Sequence, residues 1–167
     1  YTFANGLRTA LRQDPNIIMV GEIRDKETIN IAIEASLTGH LVLSTIHTNS
    51  AVETLTRIGN MDIPAYLMTS TIRTIVAQRL VRKLCQKCKV ETAVDAKTVE
   101  EIKNNLLKIP DFDQNTFQNM KFFESKGCSE CHNIGYAGRV GLYEVLSLTD
   151  SLRRFLLDGK TTLDIRD

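Results

Sequence analysis

The four cysteines of the chain form two pairs, each with two residues between its members: Cys85 and Cys88, then Cys128 and Cys131. Two such pairs can supply four thiolates to one tetrahedral ion, and zinc is the usual metal for this donor set. Because four thiolates leave no coordination position open for water, the site would be structural rather than catalytic. The spacing therefore predicts a zinc-binding subdomain that depends on the metal for much of its stability.

The same cysteines have two other interpretations. Two disulfides are disfavoured because no basic segment followed by an apolar one is visible at the N-terminus, so a reducing compartment is expected. The second pair together with His132 also has the C-x-x-C-H spacing of haem attachment. A haem would leave Cys85 and Cys88 without a role and would require export. We therefore expect His132 to lie at the surface or beside the metal ligands.

Acidic and polar side chains follow two short apolar runs that are typical of buried strands. Glu22 comes two residues after the run 17–20, and His47 directly follows the run 41–46. Because the carboxyl ends of parallel strands form the ligand crevice of an α/β sheet, both side chains are expected at one edge. A carboxylate there can orient a nucleophilic water or lie near a magnesium ion. The pairing weakens the simpler interpretations, an acidic helix N-terminus for Glu22 and a structural histidine for His47.

The spacing of apolar residues predicts the elements that position these groups. A first helix over 3–11 ends before Asp14-Pro15, and a later helix is stopped by Thr38-Gly39, a left-handed cap. Strand, helix, strand, helix in this order favours a parallel sheet with crossover helices, an α/β fold whose first two strands are buried on both faces. We predict strands over 17–20, 41–46 and 139–146, a turn at 110–111, and further helices over 26–37, 52–58, 66–84, 98–107 and 151–157.

Composition and charge exclude several functional classes. The 167 residues include 21 Lys plus Arg and 20 Asp plus Glu, a net charge of +1, whereas a dedicated nucleic-acid binder carries a basic excess. Hydrophobic residues make up 43% and charged residues 25%, which is ordinary for a globular protein and atypical of a disordered one. No apolar run approaches the roughly 18 residues that a membrane span needs. We expect a soluble globular chain that binds no nucleic acid.

Four segments of the chain resemble one family of motor proteins. The segments LRQDPNIIMVGEIRD, TGHLVLSTIHTN, AQRLVRKLCQKC and GYAGRVGLYEVL resemble the type II secretion and type IV pilus assembly ATPases, and the resemblance runs almost from end to end. It implies the C-terminal part of a RecA-like P-loop ATPase domain, a parallel-sheet α/β fold with a small inserted four-cysteine zinc subdomain. It implies a partial ATPase core over 1–83, the zinc-binding subdomain over 84–146 and a truncated C-terminal helical segment over 147–167.

The resemblance also implies roles for individual residues. Residues 17–22 would be the Walker B segment, with Glu22 as the catalytic glutamate that polarises the attacking water. Residues 38–49 would be the His box, with His47 facing the γ-phosphate side, and the four cysteines match the zinc ligands of the family. Many P-loop enzymes carry a magnesium-binding Asp at the position of Gly21. The residues expected to support the nucleotide site are Gly21, Arg24, His40 and Arg79, the last without a fixed role.

One motif of such ATPases is missing from these residues. A phosphate cradle has the pattern G-x-x-x-x-G-K-[ST], whose glycines let backbone amides reach the phosphates. Gly159-Lys160-Thr161 matches its end, but Arg154 stands at the first glycine position and a helix rather than a strand precedes it. In the family this loop and an acidic Asp box lie upstream of the position of Tyr1. We therefore expect this chain to be inactive as an ATPase on its own.

For the full-length parent, the resemblance implies ATP hydrolysis with Mg²⁺, coupled to the assembly of pilin or pseudopilin filaments. The parent would work as a cytoplasmic homo-oligomeric ring, a hexamer, docked on inner-membrane platform proteins. The sister pilus-retraction ATPases generally lack the four-cysteine insert, which favours the assembly or secretion side. The alternative is a non-enzymatic, zinc-stabilised interaction module of a secretion machine.

Overall fold

The computed structural model describes residues 2–109, 112, 113, 115, 117 and 120–160. The chain divides into two compact units: the α/β unit, residues 1–79 and 143–167, and the cysteine unit, residues 80–142. The predicted turn at 110–111 and the segment after residue 160 lie outside the described residues. Within those described ranges, no helix combines the length and the apolar character that crossing a membrane requires.

The first two strands pair in parallel, and a helix connects them. In the pair formed by β1 (Ile17–Val20) and β2 (Leu41–Ser44), Ile17 lies opposite Leu41 and Val20 opposite Ser44. This arrangement confirms the predicted α/β class and parallel pairing. β3 pairs with β6, and β4 pairs with β5. The elements are α1 (Phe3–Leu11), β1 (Ile17–Val20), α2 (Lys26–Leu37), β2 (Leu41–Ser44), α3 (Ala51–Gly59), α4 (Ala65–Thr71), β3 (Thr74–Leu84), β4 (Lys89–Thr92), α5 (Ala96–Leu106), β5 (Phe122–Ser125), β6 (Tyr136–Ser147) and α6 (Asp150–Leu157).

Helix α2 has the predicted bounds, and both of its ends are set by local chemistry. At its N-terminus the Asp25 carboxylate accepts a hydrogen bond from the Thr28 amide at 2.8 Å. The Thr28 amide and hydroxyl lower the pKa of Asp25, so the cap is charged at neutral pH. At its C-terminus Gly39 adopts a φ of +99°, a left-handed conformation that glycine adopts without strain. The predicted glycine cap is confirmed.

Two clusters of buried apolar side chains hold the α/β unit together, and α2 contributes to both. Ile29 and Ile33 belong to the first cluster, which joins α2 to α3 and α4, whereas Ile31 and Ala35 belong to the second, which joins α2 to α1 and β1. Helix α2 is thus packed on two sides. The first cluster is Ile29, Ile33, Leu55, Ile58, Met61, Ile63, Met68 and Leu148; the second is Ala4, Leu7, Ile18, Val20, Ile31 and Ala35.

The prediction that both parallel strands are buried on two faces is wrong for this chain. Ile18 and Val20 are buried, but Met19 between them is 70% exposed. The exposed apolar side chains of both strands lie on one face because residues alternate along a strand and the two strands are in register. Helices α1 and α2 pack on the other face. The exposed face consists of Ile17, Met19, Leu41 and Leu43.

The predicted helix over 66–84 is also wrong, because only its first part is helical. α4 ends at Thr71, and the strand β3 begins at Thr74. The run 71–76 is rich in β-branched residues, which lose side-chain freedom in a helix and pack well in a strand. Exposure alternates from Thr74 to Gln78, as a strand with one covered face requires. The remaining predicted elements are confirmed to within a few residues: helices over 3–11, 52–58, 98–107 and 151–157, and the strand over 139–146.

The cysteine unit is built around short elements with little apolar burial. β4 and β5 pair antiparallel, with Lys89 opposite Ser125 and Thr92 opposite Phe122. Helix α5 has an N-terminal cap, because the Asp95 carboxylate accepts a hydrogen bond from the Thr98 amide at 2.9 Å. No side chain of α5 is buried. Within the described part of this unit, the buried side chains are those of Cys85 and Cys131.

Candidate active site and metal centre

The parallel register of β1 and β2 brings two segments to one edge of the sheet. β1 is followed by Gly21 and Glu22, and β2 is followed by Thr45 and the residues up to His47. The Thr45 hydroxyl donates a hydrogen bond to the Gly21 carbonyl at 2.6 Å, and the Ile23 amide donates to the Thr45 carbonyl at 2.9 Å. These bonds tie the two segments together directly after the strands end. Glu22 and His47 therefore meet at this edge.

Glu22 is contacted by two cationic or hydrogen-bonding side chains at the same carboxylate oxygen. The Arg24 Nε donates to Glu22 Oε2 at 2.6 Å, and His47 Nε2 lies 3.2 Å from the same oxygen. The hydrogen bond from Arg24 lowers the pKa of Glu22, partial burial opposes this, and the charge of Arg24 and the contact with His47 lower it further. The same ion pair raises the pKa of Arg24. Glu22 is consequently a carboxylate at neutral pH.

This geometry allows Glu22 to act on a water molecule. Among the described residues, no side chain or amide hydrogen-bonds to the second carboxylate oxygen, Oε1, since both contacts use Oε2. A carboxylate is an acceptor only, so His47 donates its Nε2 proton in the contact. The imidazole is 85% exposed and the Glu22 side chain 32% exposed. A solvent-accessible, ionised carboxylate with one engaged oxygen can orient a nucleophilic water.

The segment after His47 is anchored by residues distant in the sequence. The Arg79 guanidinium donates from Nη2 to the Asn49 carbonyl at 2.9 Å and to Asn49 Oδ1 at 3.1 Å. The Ala51 amide donates to Glu144 Oε2 at 3.0 Å. Of these residues, only Arg79 was assigned to the site from the sequence. Glu144 was missed; its place in the alternating pattern of β6 was the signal that could have found it.

The other predicted support residues are less closely tied to the site. His40 lies at the amino end of β2, the opposite end from His47, where its Nδ1 is 3.0 Å from the Ala35 carbonyl at the end of α2. It therefore does not contact Glu22 or His47. Gly21 lies at the site, but a Cβ added to it would meet nothing within 4 Å. Nothing in the structure explains a requirement for glycine there.

A cavity of about 480 Å³ opens within the α/β unit beside His47. Its polar lining includes Thr48 and Thr54, whose hydroxyls are 2.8 Å apart, and Gln78 from β3. Its apolar lining consists mainly of isoleucines, including Ile23 and Ile46. His47 and Thr48 thus belong to the lining of a cavity that also reaches Gln78 of β3.

The four cysteine sulfurs form a compact cluster in the cysteine unit. All four lie within 4.8 Å of one another, and Cys85–Cys128, Cys88–Cys131 and Cys128–Cys131 are separated by 3.9, 3.8 and 3.7 Å. Four thiolates around a zinc ion with Zn–S bonds of about 2.3 Å have sulfur–sulfur separations of about 3.8 Å. A disulfide would bring two sulfurs to about 2.05 Å, and all four cysteines are free. The donor set and its spacing fit a tetrahedral metal.

Backbone amides around the cluster are aimed at one sulfur. The amides of Cys128 and Gly135 both donate to Cys131 Sγ at 3.2 Å. Burial opposes ionisation of this sulfur, but these amides outweigh it and lower the pKa of Cys131 to about 6. Partial burial, and then the neighbouring thiols, raise the pKa of Cys88 to about 12. The amides of Cys128 and Gly135 thus favour the thiolate form of Cys131, which is the form that binds a metal.

Two glycines allow the chain to turn tightly around the second pair of cysteines. Gly127 has a φ of +85°, and a Cβ there would lie 2.9 Å from the Asn133 carbonyl oxygen. Gly135 has a φ of +81°, and its Cβ would lie 2.8 Å from the Ser125 Cβ. A side chain at either position would combine backbone strain with a close contact. Gly127, directly before the second pair, thus allows a turn that a residue with a side chain could not make without strain.

Comparison with known proteins links this arrangement to secretion machinery. The whole chain, residues 1–167, matches the family described as Type II/IV secretion system protein. It is 46% identical over 165 residues to a type IV pilus assembly ATPase PilB of Pseudomonas aeruginosa, covering 99% of this chain and 28% of that protein. It is 47% identical over 155 residues to a type II secretion system protein E of the same organism, covering 93% of this chain and 29% of that protein. The chain thus spans less than a third of the length of these curated relatives.

Solved structures show the same likeness. The pilus retraction motor PilT with bound ADP matches with a TM-score of 0.62 and 28% identity, over 99% of this chain and 35% of that one. The ATPase DotB of Legionella pneumophila matches with a TM-score of 0.59 and 29% identity, over 99% of this chain and 34% of that one. By name, these neighbours and relatives are thus a pilus retraction motor, an ATPase, a pilus assembly ATPase and a type II secretion system protein.

Proposed function

Because this chain belongs to the type II/IV secretion system protein family and is a relative of its pilus assembly and secretion ATPases, we propose that it is the C-terminal part of a RecA-like ATPase domain. The observation that carries the proposal is the meeting of Glu22 and His47 directly after two parallel strands. The longer protein that contains this chain would hydrolyse ATP with Mg²⁺. The chain alone, which lacks the G-x-x-x-x-G-K-[ST] pattern, would not.

In this proposal each residue at the sheet edge has a distinct role. Glu22 polarises the attacking water through its carboxylate, and Arg24 keeps that carboxylate ionised. His47 faces the γ-phosphate side, where its exposed ring can exchange the hydrogen bond to Glu22 for one to an anionic oxygen. Gly21 adjoins the same edge, and Arg79 supports the loop that carries His47. His40 would contribute indirectly, through the start of β2.

The test is the variant Glu22→Gln in the full-length protein. It keeps the size of the side chain and removes its charge, so ATP should still bind while turnover falls by about 100-fold or more. Glu27→Gln is the matched control, because Glu27 is an exposed acid on α2 whose ion-pair partner is Arg8 rather than Arg24 or His47. Turnover should be measured at saturating ATP, with ATP binding measured separately. Undiminished turnover in Glu22→Gln would remove Glu22 from the catalytic role.

We base our proposal for the machine that this activity serves on the names of the relatives. We assign the full-length protein to the assembly of pilin or pseudopilin filaments, as a cytoplasmic hexameric ring docked on inner-membrane platform proteins. The identities of 46% and 47% to a pilus assembly ATPase and a secretion ATPase do not separate the two systems. The mass of the purified full-length protein in solution, and its co-purification with platform proteins of each system, test these assignments. A full-length monomer that turns over ATP at the full rate would contradict the ring.

We further propose that Cys85, Cys88, Cys128 and Cys131 hold one structural zinc ion. The supporting observations are the four thiol donors and their sulfur–sulfur separations of 3.7 to 3.9 Å. The metal would supply stability, since four sulfur ligands leave no position for a reacting water. Metal analysis of the purified protein should give one zinc per chain. If the wild-type full-length protein bound zinc but turned over no ATP, a non-enzymatic, zinc-stabilised interaction module of the secretion machine would be the better assignment.

A further inference from the structure

The loop 45–50 lies between β2 and α3 and carries His47, whose side chain makes few contacts. The His47 imidazole is 85% exposed, and its hydrogen bond in the described structure is the one to Glu22. Ile46 beside it packs against the first apolar cluster. An exposed ring with a single partner is not held in place by packing around it. The position of the ring relative to Glu22 therefore depends on how firmly the loop backbone is held.

Arg79 holds the loop from one side. Its Nη2 donates to both the carbonyl and the side-chain oxygen of Asn49, at 2.9 and 3.1 Å. A cationic donor makes such hydrogen bonds stronger than neutral ones. Along β3, Arg79 shares a face with Ile75 and Ala77, since side chains alternate, and Ile75 packs against the first apolar cluster. The strand thus directs Arg79 toward the core side, where Asn49 lies.

Glu144 holds the loop from its other end. Its Oε2 accepts the amide proton of Ala51, the first residue of α3, at 3.0 Å. The first amides of a helix have no partner within the helix, and a carboxylate there also meets the positive end of the helix dipole. Ala51 is 0% exposed, so the bond is made where the helix enters the core. Glu144 shares a face of β6 with Leu146, which packs against the first apolar cluster, whereas Tyr143 on the other face is 64% exposed.

We propose that Glu144 and Arg79 are positioning residues that hold the His47 loop in register with Glu22. Neither side chain contacts Glu22 or His47; each acts through the backbone within four residues of His47. Glu144 fixes the start of α3, and Arg79 fixes Asn49 between that start and His47. This inference rests on the proposed role of Glu22 and His47 in ATP hydrolysis.

The test compares variants of the full-length protein in ATP turnover and in amide hydrogen exchange. Glu144→Ala removes the acceptor for the Ala51 amide, so the kcat for ATP should fall by about 10- to 100-fold with KM nearly unchanged, because a displaced group lowers the rate more than the affinity. Glu144→Gln keeps an acceptor oxygen and should restore most of the rate. Arg79→Lys keeps the charge but loses the planar donor geometry, so it should give an intermediate rate. Exchange over residues 45–51 should accelerate in step with the loss of rate.

Tyr143→Phe is the matched control on the same strand. It removes the hydrogen bond between Gln78 and the Tyr143 hydroxyl at 3.1 Å and leaves the Ala51 and Asn49 bonds in place, so kcat and exchange over 45–51 should stay at wild-type values. A kcat for Glu144→Ala within twofold of wild type would overturn the proposal. So would a loss of rate that Glu144→Gln shares in full, or faster exchange throughout the α/β unit.

Two further outcomes separate this inference from the proposed function. If Glu144→Ala does not fold, the Arg79→Lys rate and exchange decide in its place, and wild-type values for both overturn the proposal. If Glu22→Gln keeps full turnover, the proposed catalytic role of Glu22 fails, and exchange over 45–51 still tests the anchors. Unchanged exchange there in both Glu144→Ala and Arg79→Lys would overturn the anchors whatever the result for Glu22.

Discussion

The α/β unit and the cysteine unit are held together by different kinds of interaction. In the α/β unit, helices α1 to α4 and strand β1 bury aliphatic side chains in two clusters, with Leu55 and Val20 at 2% and 1% exposure. In the described part of the cysteine unit, the buried side chains are two cysteines, and α5 buries none. Apolar burial stabilises the first unit, whereas the second has little of it and, in our proposal, would be stabilised by a zinc ion bound to the four sulfurs.

This difference in packing matches what each candidate site would require of the residues around it. The edge with Glu22 and His47 needs a rigid base, because catalytic geometry tolerates little displacement, and α2, packed on two sides, supplies one. The cysteine cluster needs no such base, since a tetrahedral metal would itself fix four side chains from two distant segments. We therefore expect different substitutions to unfold the two units.

The largest expected effect is in the cysteine unit, on replacement of Cys88 by Ser. We expect loss of the bound metal and loss of amide protection in β4 and β5, because three thiolates no longer complete the tetrahedral site. Protection in α2 and α3 should persist, since those helices belong to the apolar clusters. Metal analysis and hydrogen exchange measure both effects. Ser129→Ala, which changes an exposed non-ligand between Cys128 and Cys131, is the control, and unchanged zinc content in Cys88→Ser would contradict the prediction.

Truncation of a buried side chain in the α/β unit should destabilise that unit without loss of the metal. Leu55→Ala should lower the free energy of unfolding of that unit by about 2–5 kcal/mol, since it leaves a cavity where Leu55 is 2% exposed. The metal content should not change. Leu41→Ala, at a position 53% exposed on the uncovered face of the strand pair, is the control and should cost much less. Urea unfolding of the chain, followed with metal analysis, distinguishes this from a loss of zinc.

The smallest expected effect concerns two matched helix caps, Asp25 in the α/β unit and Asp95 in the cysteine unit. Asp25 and Asp95 each accept the amide and the hydroxyl proton of a threonine three residues later. Asp25→Ala should lower the free energy of unfolding by about 1 kcal/mol, because α2 is part of the core. Asp95→Ala should leave global unfolding unchanged and only increase hydrogen exchange within α5, which has no buried side chain. Equal effects of the two variants on global unfolding would contradict the contrast between the units.

The Asp25 cap also has a pH dependence of known sign. The Thr28 amide lowers the pKa of Asp25 below its ordinary value of 3.8, so the charged form is the one that stabilises the folded chain. Its contribution is complete above pH 3.8 and is lost as pH falls through the lowered pKa. The difference in unfolding free energy between wild type and Asp25→Ala should therefore shrink only below that pH.

Local patterns in the sequence determined much of both units. The C-x-x-C spacing predicted the cysteine cluster because each pair lies within one turn of chain. The bounds of α2 followed from the spacing of its apolar residues and a glycine stop. The order of strand and helix predicted the parallel pair, and with it the meeting of Glu22 and His47. The resemblance to pilus and secretion ATPases, carried by four segments, is confirmed by the family match over the whole chain.

Other features depended on tertiary packing. The β-branched run after Thr71 carried a local preference for a strand, yet its apolar spacing also matched a helix. The one-sided exposure of β1 and β2 depends on which helices pack on them, and the place of His40 at the far end of β2 depends on where that strand begins. The bond between Ala51 and Glu144 joins residues 93 positions apart. Spacing predicts contacts within a few residues of chain, but only the packing of β6 against the core brings that carboxylate to the start of α3.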